Sequence, residues 1–168
     1  KKKTKKKKGE VEKRNKEQAQ LTWQSIKKRK NYRLDKSQST EENNEEKIDE
    51  SVNEIFKIHQ NSIDFLEDYT SVKFPFQKMD FAAIPPFQYG GMEHVGAIQY
   101  RASSLFLDED PSQSRLLGRA SLIAHEVAHM WFGNLVTMDW FNDVWTKEVF
   151  ANFMASKMVN PSFPGIDH

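Results

Sequence analysis

His125-Glu126-Val127-Ala128-His129 is the stretch on which the reading of this chain turns. Two histidines four residues apart lie on one face of an α-helix, about one turn apart, so both imidazoles can reach a single ion. Glu126, beside the first, can hold and deprotonate a water polarised by that ion. A zinc site of this kind takes a third nitrogen or oxygen ligand from another element and keeps its fourth position open. Glu148 is the candidate third ligand. Eighteen residues separate it from His129, room for a helix end, a connection and the first turns of a second helix. Ser121-Leu122-Ile123-Ala124 and Val127-Ala128 make the surrounding helix largely apolar. Histidines buried on such a helix need partners, because an unpaired buried polar group is costly, and one metal ion is the simplest partner for two of them.

The elements around this stretch follow from capping and periodicity. Asp110 can cap the helix, Pro111 suits its first position, and Asp108, Glu109 and Asp110 favour the positive end of its dipole. The helix is expected to run to Phe132, with Gly133-Asn134 as its stop. Asn142 or Asp143 can cap a second helix that carries Glu148 and ends before Pro161. Its apolar residues Phe150, Phe153, Met154 and Met158 are expected to face the core. Upstream, Ile48, Val52, Ile55, Phe56, His59, Ile63, Leu66 and Tyr69 recur at helical spacing and predict an amphipathic helix over Ile48–Thr70. His59 lies on that stripe and reads as a satisfied core histidine. Phe74-Pro75-Phe76 breaks the helix. Lys78–Ile84 reads as a strand closed by Pro85-Pro86, and Gln99–Leu107 as another. Between them, Gly90-Gly91 marks a turn or a close approach of the backbone, with Glu93 a carboxylate in the same segment.

The 168 residues are one domain's worth of chain. The net charge of +1 hides an asymmetry: Lys1 to Lys8 is seven lysines and one threonine, and acidic pairs follow at Glu41-Glu42 and Glu45-Glu46. Residues 1–47 offer few apolar side chains, so they read as a charged, disordered or linker arm, and 48–168 as the folded part. No aromatic interleaving accompanies the lysines, so no nucleic-acid partner is expected. No apolar run reaches the length of a membrane span. Without cysteine, disulfides and thiolate ligands are excluded and the compartment is left undecided. Lys1 stands at the start in place of Met, and His168 follows closely on a helix, which reads as a fragment.

With these residues in view, the chain resembles the zinc aminopeptidases of the aminopeptidase N (alanyl aminopeptidase) family. These are gluzincins, metallopeptidases that hold zinc through two histidines and a glutamate. His125 to Asn134, with its Trp131-Phe132-Gly133 ending, is similar to the family's zinc helix. Asn142 to Ala151 is similar to its third-ligand helix, at the same spacing. Gly90-Gly91-Met92-Glu93-His94 resembles the exopeptidase signature Gly-x-Met-Glu-Asn. His94 departs from that signature, and Lys147 and Val149 flank Glu148 where the family usually has Asn and Gly.

The resemblance covers roughly Ile48–Pro164. It implies an α+β fold: the N-terminal part of a thermolysin-like half-domain, strands first and two zinc-binding helices after. It implies one zinc per chain on His125, His129 and Glu148, with Glu126 as the catalytic base. Glu93 would pair with the free amino terminus of a peptide whose backbone Gly90, Gly91 and Met92 line, making the chain part of an aminopeptidase. Two other readings stay open: a gluzincin endopeptidase or epoxide hydrolase on the same metal, and a non-catalytic binding module that keeps the fold.

Overall fold

The computed structural model describes residues 38–163, with side chains from Glu50 onward. The lysine run and the rest of 1–37 lie outside the described residues. The fold is α+β. In chain order come α1 (Gln38–Thr70), β1 (Asp80–Ile84), β2 (Gly91–Met92), β3 (Ala97–Arg101), the short α2 (Ala102–Leu105), α3 (Gln113–Ala128) and α4 (Val144–Val159). Single 3₁₀ turns at Phe141–Asp143 and Asn160–Ser162 bracket α4.

Helix α1 buries the face that its periodicity marks. Ile55, His59, Ile63 and Leu66 are buried, all on the stripe read from the sequence. Its backbone starts at Gln38, ten residues before the apolar pattern does. Glutamate-rich sequence extends a helix readily once a packed segment has nucleated it. His59 is a satisfied core residue. Its Nδ1 lies 2.8 Å from the Ile55 carbonyl, which can only accept, so that nitrogen carries the proton. The Tyr100 hydroxyl then donates to Nε2 across 3.0 Å, and the imidazole stacks on Phe81 at 4.4 Å. Burial pushes the His59 pKa down to about 4.

Among the described residues the sheet has three strands, in the order β1-β3-β2. Strand β3 runs parallel to β1, with Phe81 opposite Ile98 and Ile84 opposite Arg101. It runs antiparallel to β2, with Gly91 opposite Tyr100 and Met92 opposite Gln99. Ile98 and Tyr100 alternate inward along β3 and are fully buried. Strand β3 ends at Arg101 and does not continue to Leu107: the chain turns into α2, which drops Leu105 into the core. Arg101 fastens the preceding turn, donating from Nε to the Phe87 carbonyl and from a terminal nitrogen to the Gln88 carbonyl, each at 3.0 Å.

Helix α3 begins two residues later than the acidic run suggests. Ser112, not Asp110, is the cap, its hydroxyl accepting from the Arg115 amide at 3.3 Å. The regular helix also stops early, at Ala128. Beyond it the amides of Asn134, Leu135 and Val136 donate to the carbonyls of His129, Met130 and Trp131, five residues back. This wider turn closes on Gly133, whose φ of +132° is one that L side chains rarely adopt. At α4, Asp143 occupies the cap position without a side-chain bond, and the Thr146 hydroxyl instead donates to its carbonyl.

One core unites these elements. Ile55, Leu66, Ile98, Tyr100, Leu105, Ile123, Val127 and Met130 join α1, the sheet and α3, and Ala151 and Met154 bring in α4. Each such fully buried aliphatic or aromatic side chain contributes roughly 2 kcal/mol. Helices α3 and α4 approach closely over the small residues Ala120, Ala124 and Ala155. Trp131 ties the end of α3 to the end of α1, its ring N–H donating to the Val72 carbonyl at 3.1 Å. The apolar stripe expected on α4 is only half core: Met154 is buried and Met158 packs against it, but Phe150 and Phe153 stay half exposed. Ala151 and Ala155 take the inward positions there, because the close approach of α3 leaves no room for rings.

Candidate metal and peptide site

His125 and His129 occupy the last turn of α3 and its C-cap, and Glu148 the second turn of α4. The packing of the two helices brings the three side chains together. His125 Nε2 and His129 Nε2 are 3.0 Å apart, and Glu148 Oε2 lies 3.2 Å from the first and 3.5 Å from the second. The tautomer of His129 follows from its other nitrogen. Nδ1 is 3.0 Å from the Phe132 carbonyl and must donate, so Nε2 offers its lone pair to the cluster. Two imidazole nitrogens and a carboxylate oxygen that converge in this way are the donor set zinc prefers, and the residues fit such an ion. His129 is 1% exposed, so its ring cannot satisfy Nε2 with bulk water.

Glu126 sits one residue along α3 and points toward β2. The carboxylate is buried, and its Oε2 has no hydrogen-bond partner among the described residues. Burial first, then the Glu93 and Glu148 carboxylates, push its pKa up to about 8, against the opposing charge of Lys147. It lies so close to β2 that a Cβ on Gly91 would stand 2.2 Å from its Oε1. The paired glycines therefore do mark a close approach, with the base candidate itself as the neighbour.

Glu93 follows directly on β2, and the sheet carries it to the same cluster. Its carboxylate and those of Glu126 and the His129 ring form a second convergent group. Asn134, in the wide turn that follows α3, donates from its side chain to the Glu93 carbonyl at 2.9 Å and so fixes that turn. Gly90, Gly91 and Met92 run alongside, partly buried, and among the described residues β2 is an edge strand with one side unpaired by the sheet. His94 points outward and is exposed.

Lys147 joins the two halves of the site. Its ammonium contacts Glu93 Oε1 and lies 3.0 Å from Glu148 Oε1. Burial would lower the lysine pKa, but hydrogen bonds and charge from both carboxylates outweigh it and hold the group protonated. Burial likewise raises Glu93, yet Lys147 and His129 more than offset that and keep the carboxyl below its ordinary range. Glu148 shows the same balance, burial against Lys147 and the two histidines. His125 is depressed, by burial and then by the neighbouring His129.

Sequence reasoning named each of these candidates except Lys147 and Asn134, and it named no contact between elements. The Lys147–Glu93 pair and the Asn134 clamp on Glu93 were not anticipated. Lys147 carried a signal, as a departure from the family pattern beside the third-ligand position. Asn134 stood inside the quoted zinc-helix segment but gave no sign of its partner.

Comparison with known proteins gives this geometry a lineage. Residues 54–167 match the peptidase family M1 domain. The chain is 50% identical over 103 residues, 61% of its length, to endoplasmic reticulum aminopeptidase 1 of Homo sapiens, 11% of which is covered. It is 48% identical over 103 residues, again 61% of its length, to endoplasmic reticulum aminopeptidase 2 of Homo sapiens, with 11% covered. It is 44% identical over 108 residues, 64% of its length, to leucyl aminopeptidase of Saccharolobus solfataricus, with 14% covered. The chain thus spans between 11% and 14% of the length of these relatives. It belongs to peptidase family M1.

Proposed function

We propose, from that family membership, that the chain is the N-terminal part of a thermolysin-like catalytic domain of a zinc aminopeptidase. The observation that carries the reading is the convergence of His125, His129 and Glu148 beside the Glu93 carboxylate and a buried Glu126 whose Oε2 has no hydrogen-bond partner among the described residues. His125, His129 and Glu148 would hold a zinc ion, which would supply the Lewis acidity that activates a water and polarises a peptide carbonyl. Glu126 takes the proton of that water and delivers it to the leaving amine nitrogen. Its burial shields the proton from bulk solvent during the transfer.

Glu93 sets where on the peptide this happens. A carboxylate facing a substrate ammonium forms a charge-assisted pair, stronger than a neutral hydrogen bond. That pair fixes the amino terminus one residue from the bond to be cut. The open edge of β2 supports the role of Gly90, Gly91 and Met92, since an extended peptide can add to a free strand edge through its backbone. The names of the similar proteins, all aminopeptidases, support the same substrate class.

The test compares kcat/KM for one peptide with a free and with an acetylated amino terminus, on the zinc-loaded full-length protein. The free peptide is expected to be cleaved at least about tenfold faster, the value of one charge-assisted contact. Glu93→Ala should narrow the gap by slowing the free peptide. Equal rates for both peptides, untouched by Glu93→Ala, would overturn amino-terminal recognition and leave an endopeptidase on the same metal.

A further inference from the structure

Glu93 already holds a primary ammonium in this chain. Lys147 Nζ contacts Glu93 Oε1 and reaches Glu148 Oε1 at 3.0 Å. The pair is sheltered, with the lysine side chain 21% and the glutamate side chain 13% exposed. The lysine stem has a built path. It runs over Gly133, where an added Cβ would stand 3.4 Å from both its Cβ and its Cδ. Lys147 is anchored on α4, in the residue before the third-ligand candidate, and Glu93 on the segment after β2, so the contact spans 54 residues of sequence. Nothing in the helix periodicity of α4 requires a cation there.

We propose that Lys147 is a specificity-determining residue: it competes with the substrate's α-ammonium for Glu93, so that a free amino terminus must displace or share the lysine to bind. The inference rests on the reading of Glu93 as the amino-terminal anchor. A lysine ammonium and an α-ammonium are chemically alike, both primary and singly charged, and one carboxylate cannot give each its best geometry. Two cations at one carboxylate also repel one another, which adds to the cost of binding. A blocked amino terminus does not face that cost, because Glu93 keeps its internal partner and is not stranded as a buried charge. Lys147 therefore weakens discrimination between free and blocked peptides from both directions.

The experiment replaces the charge and keeps the stem. Lys147→Met in the zinc-loaded full-length protein is expected to lower KM for a free peptide roughly ten- to a hundredfold, the range of a hydrogen bond to a charged group. KM for the acetylated twin should stay or rise, and Lys147→Arg, which keeps a cation at the site, should stay close to the wild type. Zinc content, measured in parallel, should be full in all three. Calorimetric affinity of the same two peptides for the zinc-stripped proteins gives a readout free of turnover, and the free peptide alone should gain affinity in Lys147→Met. Lys147→Gln serves if the methionine variant does not fold. An unchanged ratio of free to acetylated KM in both uncharged variants, with Glu93→Ala still raising that ratio, would overturn the competition and leave the anchor role of Glu93 standing. A ratio that neither Glu93→Ala nor Lys147→Met moves would instead sink the anchor reading itself.

Discussion

Replacing Gly133 by alanine tests how the metal site is held, because this glycine is required for two reasons at once. Its φ of +132° belongs to backbone that L residues avoid, which costs about 1–3 kcal/mol for a side chain forced to adopt it. The space is filled as well. An added Cβ would lie 3.2 Å from His129 Nδ1 and 3.4 Å from the Lys147 stem. His129 is buried and cannot swing aside without breaking the 3.0 Å bond from Nδ1 to the Phe132 carbonyl, worth about 1 kcal/mol. Together the two terms place Gly133→Ala roughly 2–4 kcal/mol below the wild type in stability. That Nδ1 bond also aims Nε2 at the cluster, so its loss should weaken zinc by about ten- to a hundredfold, as removal of a ligand's supporting partner typically does. The assay is chemical denaturation of the zinc-free full-length protein, followed by zinc affinity from competition with a chelator. Stability and zinc affinity both equal to the wild type would refute the argument that Gly133 supports the His129 ring.

Glu126→Gln should keep its zinc and lose about a hundred- to ten-thousandfold in kcat, whereas His129→Ala should lose the zinc itself; elemental analysis beside turnover separates the two, and undiminished turnover in Glu126→Gln removes it from the chemistry. His59 should titrate at about 4 when read by histidine hydrogen exchange and mass spectrometry. Its folded pKa lies below the unfolded value of about 6.5, so stability is full above that pH and falls by about 3 kcal/mol as pH drops toward 4; zinc-stripped wild type and His59→Gln with the same pH dependence would contradict it.

Much of the fold was legible because one face of each helix is buried and leaves a periodic trace. The α1 stripe is an example, and the His59 reading came directly from its place on that stripe. Boundaries were less legible. Asp110 and Ser112 are both good caps, and only the approach of the Arg115 amide decides between them. The strand expected over Gln99–Leu107 breaks at Arg101, because burying Leu105 in the core requires a turn that local β-propensity does not record. The inward face of α4 was misjudged for a related reason. Phe150 and Phe153 are as apolar as any core residue, but α3 comes too close for rings, and alanines fill the contact.

The sequence by itself marked the candidate donor set of the site. Spacing of four on a helix puts His125 and His129 on one face whatever surrounds them, and Glu126 follows as their neighbour. Tertiary structure decided what those residues meet. The sheet brings Glu93 to Glu126, the wide turn after His129 fixes which ring nitrogen is free, and the crossing of α3 and α4 sets Lys147 between two carboxylates. Contacts within a helix are dictated by its period, which any chain of L residues shares. Contacts between elements depend on how closely side chains let their backbones approach, and that is known only once the whole core is packed.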